Sequence, residues 1–242
     1  MCTFTWTAAP DRSGYDLFFN RDERHPRAIE TPPAFGESEG LRWLAPRDPD
    51  AGGTWLVVNA AGLTLALLND YAARWHPAGP ARSRGRLVLD LAPARDLAAV
   101  AERLAAVDLV ELPPFHLVAV APDASARHWH WDGVAFTAEA LASPACLSSS
   151  SFATAEVVAS RLENFAALRA AHAGSPAVAA LAAWHRGHDP SRPAHSVRMA
   201  RSDAATRSLV HVNVRPDTAT VAYETFYPKP GPARVFTVPR VA

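Results

Sequence analysis

"MCTFTW" at Met1–Trp6 and "LFFNRDER" at Leu17–Arg24 are the two stretches whose pairing decides the fold. In the first, Cys2, Phe4 and Trp6 alternate with Thr3, Thr5 and Thr7, the period of a strand with one apolar face. "APDRSG" at Ala9–Gly14 supplies turn residues, and Tyr15–Asn20 is a second apolar, aromatic run, so the segment predicts a β-hairpin. With Ala9–Gly14 as the loop, Ala8 pairs with Tyr15 and Cys2 lies opposite Arg21. A slip of one residue brings Asp22 there instead. In either register "NRDE" at Asn20–Glu23 meets the start of the chain.

The pattern continues outward from this hairpin. "DPDAGG" at Asp48–Gly53 marks a turn, and Thr54–Asn59 and Leu63–Leu68 form a second strand pair. Leu97, Val100, Leu104 and Val107 make one stripe of a helix over Ala94–Val107. Strands return at Phe115–Ala121 and Arg127–Phe136. Thr154 caps a predicted helix through Leu168 with Val158, Leu162, Phe165 and Leu168 inward, and Ser175-Pro176 opens another through Trp184. Ser208–Val214, Thr218–Phe226 and Arg234–Val238 close the chain as strands, and Ser148–Ser151 reads as a turn or strand entry. Strands, helix, strands, helices, strands is the order of two antiparallel sheets with helices layered outside them, not of βαβ units. Prolines at Pro113-Pro114, Pro190–Pro193 and Pro228–Pro232 punctuate loops within one domain over residues 1–242.

Lys plus Arg equals Asp plus Glu at 24 each, which argues against nucleic acid or an acidic membrane as partner. No apolar run approaches the ~20 residues of a membrane helix. The first residues carry no basic start followed by an apolar stretch, so no secretion signal is expected. Two cysteines in 242 residues are too few for a disulfide scaffold, and a reducing cytoplasm is the expected compartment.

Cys2 acquires chemistry if Met1 is removed, as methionine aminopeptidases do before small residues. One residue then carries both a thiol and a free α-amine. That amine titrates near ~8, against ~10.4 for a lysine, so it can take the thiol proton at neutral pH. A nucleophile activated by its own terminal amine is an established catalytic arrangement. A cation beside the thiol favours thiolate, and a carboxylate beside the amine would hold it in place.

Read together, these segments resemble the NRDE family, also called the transport and Golgi organisation family. "MCTF" and "NRDE" carry the resemblance, with "GGTWLVVNAAGLTLALLN" (Gly52–Asn69), "SRGRLV" (Ser83–Val88) and a weaker "TRS" (Thr206–Ser208). The resemblance implies an N-terminal nucleophile hydrolase fold, α+β, a four-layer αββα sandwich of two mainly antiparallel sheets. Its chemical analogues are cysteine amidases such as bile-salt hydrolases and penicillin V acylases, which cleave non-peptide C–N amide bonds. On that likeness Cys2 is the nucleophile, its amine the base, Arg21 and Asp22 the catalytic pair after the hairpin, Asn69 an oxyanion donor and Arg207 a late arginine near the thiol. Asn20 and Ser149 are expected to meet the substrate. Family members carry "LSN" in mid-chain, where "CLSSSS" (Cys146–Ser151) puts Ser149. The shorter side chain implies weaker oxyanion stabilisation or a different substrate class.

The expected partner is therefore a small-molecule amide, with oligomerisation left open. Some members of the family are associated with haem trafficking, so the alternative is a carrier of haem or another small ligand in the same cleft. Under the enzymatic reading no cofactor is implied. A third possibility is a scaffold that has lost both roles. His128 and His130 share one face of the "RHWHW" strand, but no third ligand stands at a convincing spacing and no metal is expected. "HRGHD" (His185–Asp189) closes a helix, where histidines serve terminal carbonyls. His25 is expected in a solvated loop, Cys146 as a free thiol, and "ARSRGR" (Ala81–Arg86) as a solvated basic loop.

Overall fold

The computed structural model describes residues 2–73, 75 and 81–241. The predicted hairpin forms from β1 (Cys2–Ala8) and β2 (Tyr15–Arg24), with Cys2 opposite Arg21 and Ala8 opposite Tyr15. The alternative slip to Asp22 would have put the two apolar sets on opposite faces, taking either Phe4 and Trp6 or Leu17 and Phe19 out of the core they now share.

Next come β3 (Thr31–Ser38), β4 (Leu41–Arg47), β5 (Leu56–Asn59), β6 (Thr64–Asn69), α1 (Arg84–Asp90), α2 (Leu97–Ala105), β7 (Phe115–Val120), β8 (Ala126–Trp131), β9 (Phe136–Ala140) and β10 (Ala145–Ser149). The chain ends with α3 (Thr154–Ala171), α4 (Val178–His185), β11 (Ala204–Val214), β12 (Thr218–Thr225) and β13 (Arg234–Pro239). One sheet has the order β10-β1-β2-β11-β12-β13, and the other runs β3 to β9 as a meander. Among the described residues, neighbouring strands of both sheets pair antiparallel.

Phe4, Trp6, Leu17 and Phe19 of the first sheet pack against Leu44, Leu56, Val58, Leu68 and Val118 of the second. Outside the meander, Leu87, Leu91, Val100 and Leu104 of the α1–α2 region cover Val57, Leu65, Leu117 and Trp129. Outside the other sheet, Phe165 and Leu181 of α3 and α4 cover Phe18 and Leu209. Helix, sheet, sheet, helix is the expected sandwich.

Several elements depart from the sequence reading. β3 and β4 were not anticipated, because their burial is irregular and Pro32-Pro33 interrupts the first. The single strand expected over Arg127–Phe136 is broken into β8 and β9, since Asp132 accepts the backbone N–H groups of Val134 and Ala135 and makes a turn. α3 buries Val157, Arg161 and Phe165, whereas Leu162 is exposed. Ala153, in the left-handed region, takes the cap position, and the Thr154 hydroxyl donates to the Ser150 carbonyl. "ARSRGR" is not wholly a loop: Arg84–Arg86 form the first turn of α1.

Candidate active site

Cys2 opens β1 between β10 and β2, and its cross-strand neighbours are Ser149 and Arg21. Directly opposed residues share a face, so the thiol, the hydroxyl and the guanidinium all belong to the inner face of the sheet. A cleft of about 290 Å³ runs past Cys2, Arg21, Trp55, Asn69 and Arg84.

Arg21 is buried and held from every side. It ion-pairs with Glu23, Glu30 and Asp48, each at 3.1 Å, and its guanidinium lies 4.4 Å over the Trp55 ring. Arg27 shares two of these carboxylates, 2.7 Å from Asp48 and 3.5 Å from Glu23. The charge of Arg21 is thus well matched, and its role beside Cys2 is that of a fixed wall.

Arg84 stands on the other wall. Its Nη1 donates to the Pro114 carbonyl at 2.7 Å. Burial pushes its guanidinium below the ordinary value, opposed by Tyr71, Cys2 and Asp70. The approach depends on two glycines. A Cβ on Gly53 would stand 2.4 Å from the Gly85 carbonyl carbon, and the Thr54 N–H donates to the Gly85 carbonyl at 3.0 Å. "GGTW" and "SRGR" are therefore two halves of one contact that carries Arg84 to the thiol.

Burial pushes the Cys2 thiol up. The Asp22 carboxylate adds to that rise, while Arg21 and a hydrogen bond from the Asp22 backbone N–H pull the other way. Asn69, at the end of β6, donates Nδ2 to the Tyr71 hydroxyl at 2.8 Å. It borders both the cleft and a second cavity of about 320 Å³ that Ser149 also lines. Ser149 Oγ is buried with no hydrogen-bond partner among the described residues.

Other expected site residues go elsewhere. Asn20 lies on the helix side, its Nδ2 held by the His185 and Val197 carbonyls at 2.9 and 3.0 Å, so it braces α4 and does not reach the cleft. The Asp22 carboxylate also faces α3, bound by Arg161 at 3.2 Å and by the Thr206 hydroxyl, leaving its backbone N–H to meet the sulfur. Arg207 sits at an irregularity in β11. Its guanidinium donates to the carbonyls of Arg24, His25, Arg27 and Ala28, bracing the turn after β2 and lining no wall of the cleft. His25 stacks on Tyr227, with ring centroids 4.5 Å apart. Cys146 pairs with Thr5 on the sheet's other face, and burial pushes its thiol up to about 12, so it is no partner for Cys2.

Arg84, Arg161 and Trp55 were missed as site-forming residues. For Arg161 a signal exists: Val157, Arg161 and Phe165 recur at four-residue spacing. For Arg84 the only local signal is Gly85, whose partner lies some thirty residues earlier.

Two antiparallel sheets packed face to face between helical layers, with a cleft at the first strand, define the N-terminal nucleophile hydrolase fold. The profile of the family Transport and Golgi organisation 2 matches residues 1–225, and the chain belongs to that family. The structure is similar to the C2A mutant of conjugated bile acid hydrolase from Clostridium perfringens, with TM-score 0.60 and 10% identity over 99% of this chain and 92% of that one. It is also similar to penicillin V acylase from Agrobacterium tumefaciens, with TM-score 0.54 and 13% identity over 98% and 85% of the two chains. A Caenorhabditis elegans N-acylethanolamine-hydrolyzing acid amidase ortholog aligns with TM-score 0.54 and 8% identity over 89% and 93%. At such identities the likeness is one of fold. No curated protein matches the sequence. Among the described residues, no helix is long and apolar enough to cross a membrane.

Proposed function

We propose that this chain is an N-terminal cysteine amidohydrolase acting on a non-peptide C–N amide bond of a small molecule. The observation that carries the reading is the position of Cys2, on the wall of the cleft with arginines on both sides. The solved structures of similar fold include amidases, and one of them is a variant at a second-position cysteine.

Removal of Met1 (which lies outside the described residues) frees the Cys2 α-amine. The amine accepts the thiol proton, and Sγ attacks the amide carbonyl to form the S–C bond. The oxyanion is stabilised by the Asn69 amide, turned from Tyr71, and by a backbone N–H. Such a donor contributes about 3 kcal/mol in the transition state. Collapse breaks the C–N bond as the ammonium returns its proton to the leaving nitrogen. Water, deprotonated by the same amine, then cleaves the thioester and restores the thiol. Arg21 and Arg84 favour the thiolate, and Ser149 presents a free hydroxyl beside it.

Intact mass of cell-purified protein, with and without a slow thiol-directed acylating probe, tests this. The expected result is loss of Met1 and one adduct that disappears in Cys2→Ala. Retained Met1, or equal labelling of both proteins, overturns it. The carrier alternative has its own observation, the 320 Å³ cavity where His116 meets Val158 and Leu162. Saturable haem binding that survives Cys2→Ala, followed by the Soret band, is the result that reading requires.

A further inference from the structure

The face of β7 and β8 toward the other sheet carries a side-chain cluster that Cys2 chemistry does not use. His116 and His130 are cross-strand partners, with ring centroids 4.2 Å apart. Asp70, just beyond β6, brings its Oδ2 to 2.8 Å from His130 Nε2. One ligand atom from each of Asp70, His116 and His130 lies within 4.8 Å of the others. The spacing that the sequence lacked is supplied by the meander, which places the end of β6 beside the start of β7.

We propose that Asp70, His116 and His130 bind one divalent first-row transition-metal ion, of which zinc is the type.

Each group is oriented for it. Asp70 Oδ1 accepts the backbone N–H groups of Ala72 and Ala73 at 2.8 and 3.3 Å, so the carboxylate is fixed and Oδ2 is its ligand oxygen. His116 Nδ1 is hydrogen-bonded to His128 Nε2 at 3.0 Å, and His128 Nδ1 to Glu139 Oε1 at 3.1 Å. The Glu139 carboxylate accepts a hydrogen bond from His128 Nδ1–H, which makes His128 Nε2 the acceptor for His116 Nδ1–H. His116 Nε2 then keeps its lone pair for a metal. An imidazole ligand held through its other nitrogen by a chain ending in a carboxylate is the usual outer support of such sites.

Two imidazoles and one carboxylate suit zinc or cobalt better than magnesium or calcium, which prefer oxygen alone. Coordination draws the ligand atoms to edges of about 3.3 Å, set by bonds of about 2.0–2.1 Å in a tetrahedron. The Asp70–His130 pair opens slightly and the His116 ring turns toward it. His130 is about one-third exposed, at 31%, so water has access to the fourth position. Asp70 and His116 also line the 320 Å³ cavity with Asn69 and Ser149, and the ion would tie the loop after Asn69 to β7 and β8. None of this depends on Cys2 being a nucleophile.

Full-length protein stripped with a chelator and titrated with Co²⁺, followed by its ligand-field absorption, then displaced with Zn²⁺, tests the site. The expected result is one saturating equivalent and a rise in Tm with bound ion. His130→Ala and Asp70→Asn should each weaken binding by roughly tenfold or more, and Glu139→Gln by about tenfold through His128 alone. Should His130→Ala misfold by circular dichroism, His130→Gln replaces it, and Glu139→Gln alters only an exposed side chain. Absent saturation overturns the proposal, as does binding unchanged in the His130 and Asp70 variants. Binding lost in Cys2→Ala but kept in the His130 variant does so too, by placing the ion on the thiol.

Discussion

Cys2 and Arg21 face each other across β1 and β2, so the thiol and the guanidinium leave the sheet on the same side. The adjoining Asp22 sends its carboxylate to the opposite side, against Arg161. The alternation of a strand thus divides "NRDE" between two tasks. Arg21 serves the cleft, and Asn20 and Asp22 anchor the helical layer.

The thiol should report this surrounding directly. Burial pushes Cys2 up while its nitrogen is still in a peptide bond, so a form retaining Met1 should react slowly with iodoacetamide. Its rate should climb about tenfold per pH unit through neutral pH, in step with thiolate. The processed form, with an adjacent amine, should react faster at pH 7 and show a flatter profile. Arg84→Gln should slow both by roughly threefold or more, since a nearby cation favours thiolate. Pseudo-first-order labelling between pH 6 and 9 checks each expectation, and identical profiles for the two forms contradict the first.

Gly53 and Gly85 touch backbone to backbone. Gly53→Ala should therefore cost about 1–3 kcal/mol as the contact is forced apart. It should also slow Cys2 labelling by moving Arg84. Gly40 has open space around it, but its φ of +70° favours glycine. Gly40→Ala should cost stability without any change in labelling. Urea unfolding together with alkylation rates separates the two positions.

Asp22 and Arg161 form a buried pair at 3.2 Å, with side chains 0% and 1% exposed. Truncating one partner strands the other, so Arg161→Ala should lose about 3–5 kcal/mol. Arg161→Met combined with Asp22→Asn leaves no stranded charge and should recover a substantial part of that loss. Denaturant midpoints of the single and double variants are the measurement, and a double variant no more stable than Arg161→Ala would count against the pairing.

His185 ties stability to pH. Its Nδ1 donates to Asn20 Oδ1 and its Nε2 accepts from the Thr5 hydroxyl, both at 2.8 Å. Burial pushes its pKa from 6.5 to about 3. The folded value is depressed, so below 6.5 the unfolded chain takes up a proton that the folded chain does not. Stability should fall by roughly 1.4 kcal/mol per pH unit from that point down toward the folded value, and be unaffected above it. The stability difference between wild type and His185→Gln, followed from pH 7.5 to pH 4.5, should shrink with that slope. A constant difference would contradict it.

Legibility in the sequence followed the range of the interaction. The hairpin could be read to within one residue of register, because six turn residues join two apolar runs, and the shared burial of Phe4, Trp6, Leu17 and Phe19 in the folded protein then sets Cys2 opposite Arg21. The layered architecture followed from element order. β3 and β4 were not legible, since their partners are set by the rest of the meander and not by their own pattern.

Periodicity and turn chemistry by themselves determined that Cys2 meets "NRDE" across a hairpin and that two sheets form, because those are local constraints on a pleated chain. Which charged groups then meet was decided only in three dimensions. Arg84 reaches the cleft through a glycine contact, Arg207 is drawn off to four carbonyls, and Asp70 joins His116 and His130. The physical reason is that long polar side chains go where buried partners and close backbone approach permit, and those partners lie on strands far apart in sequence.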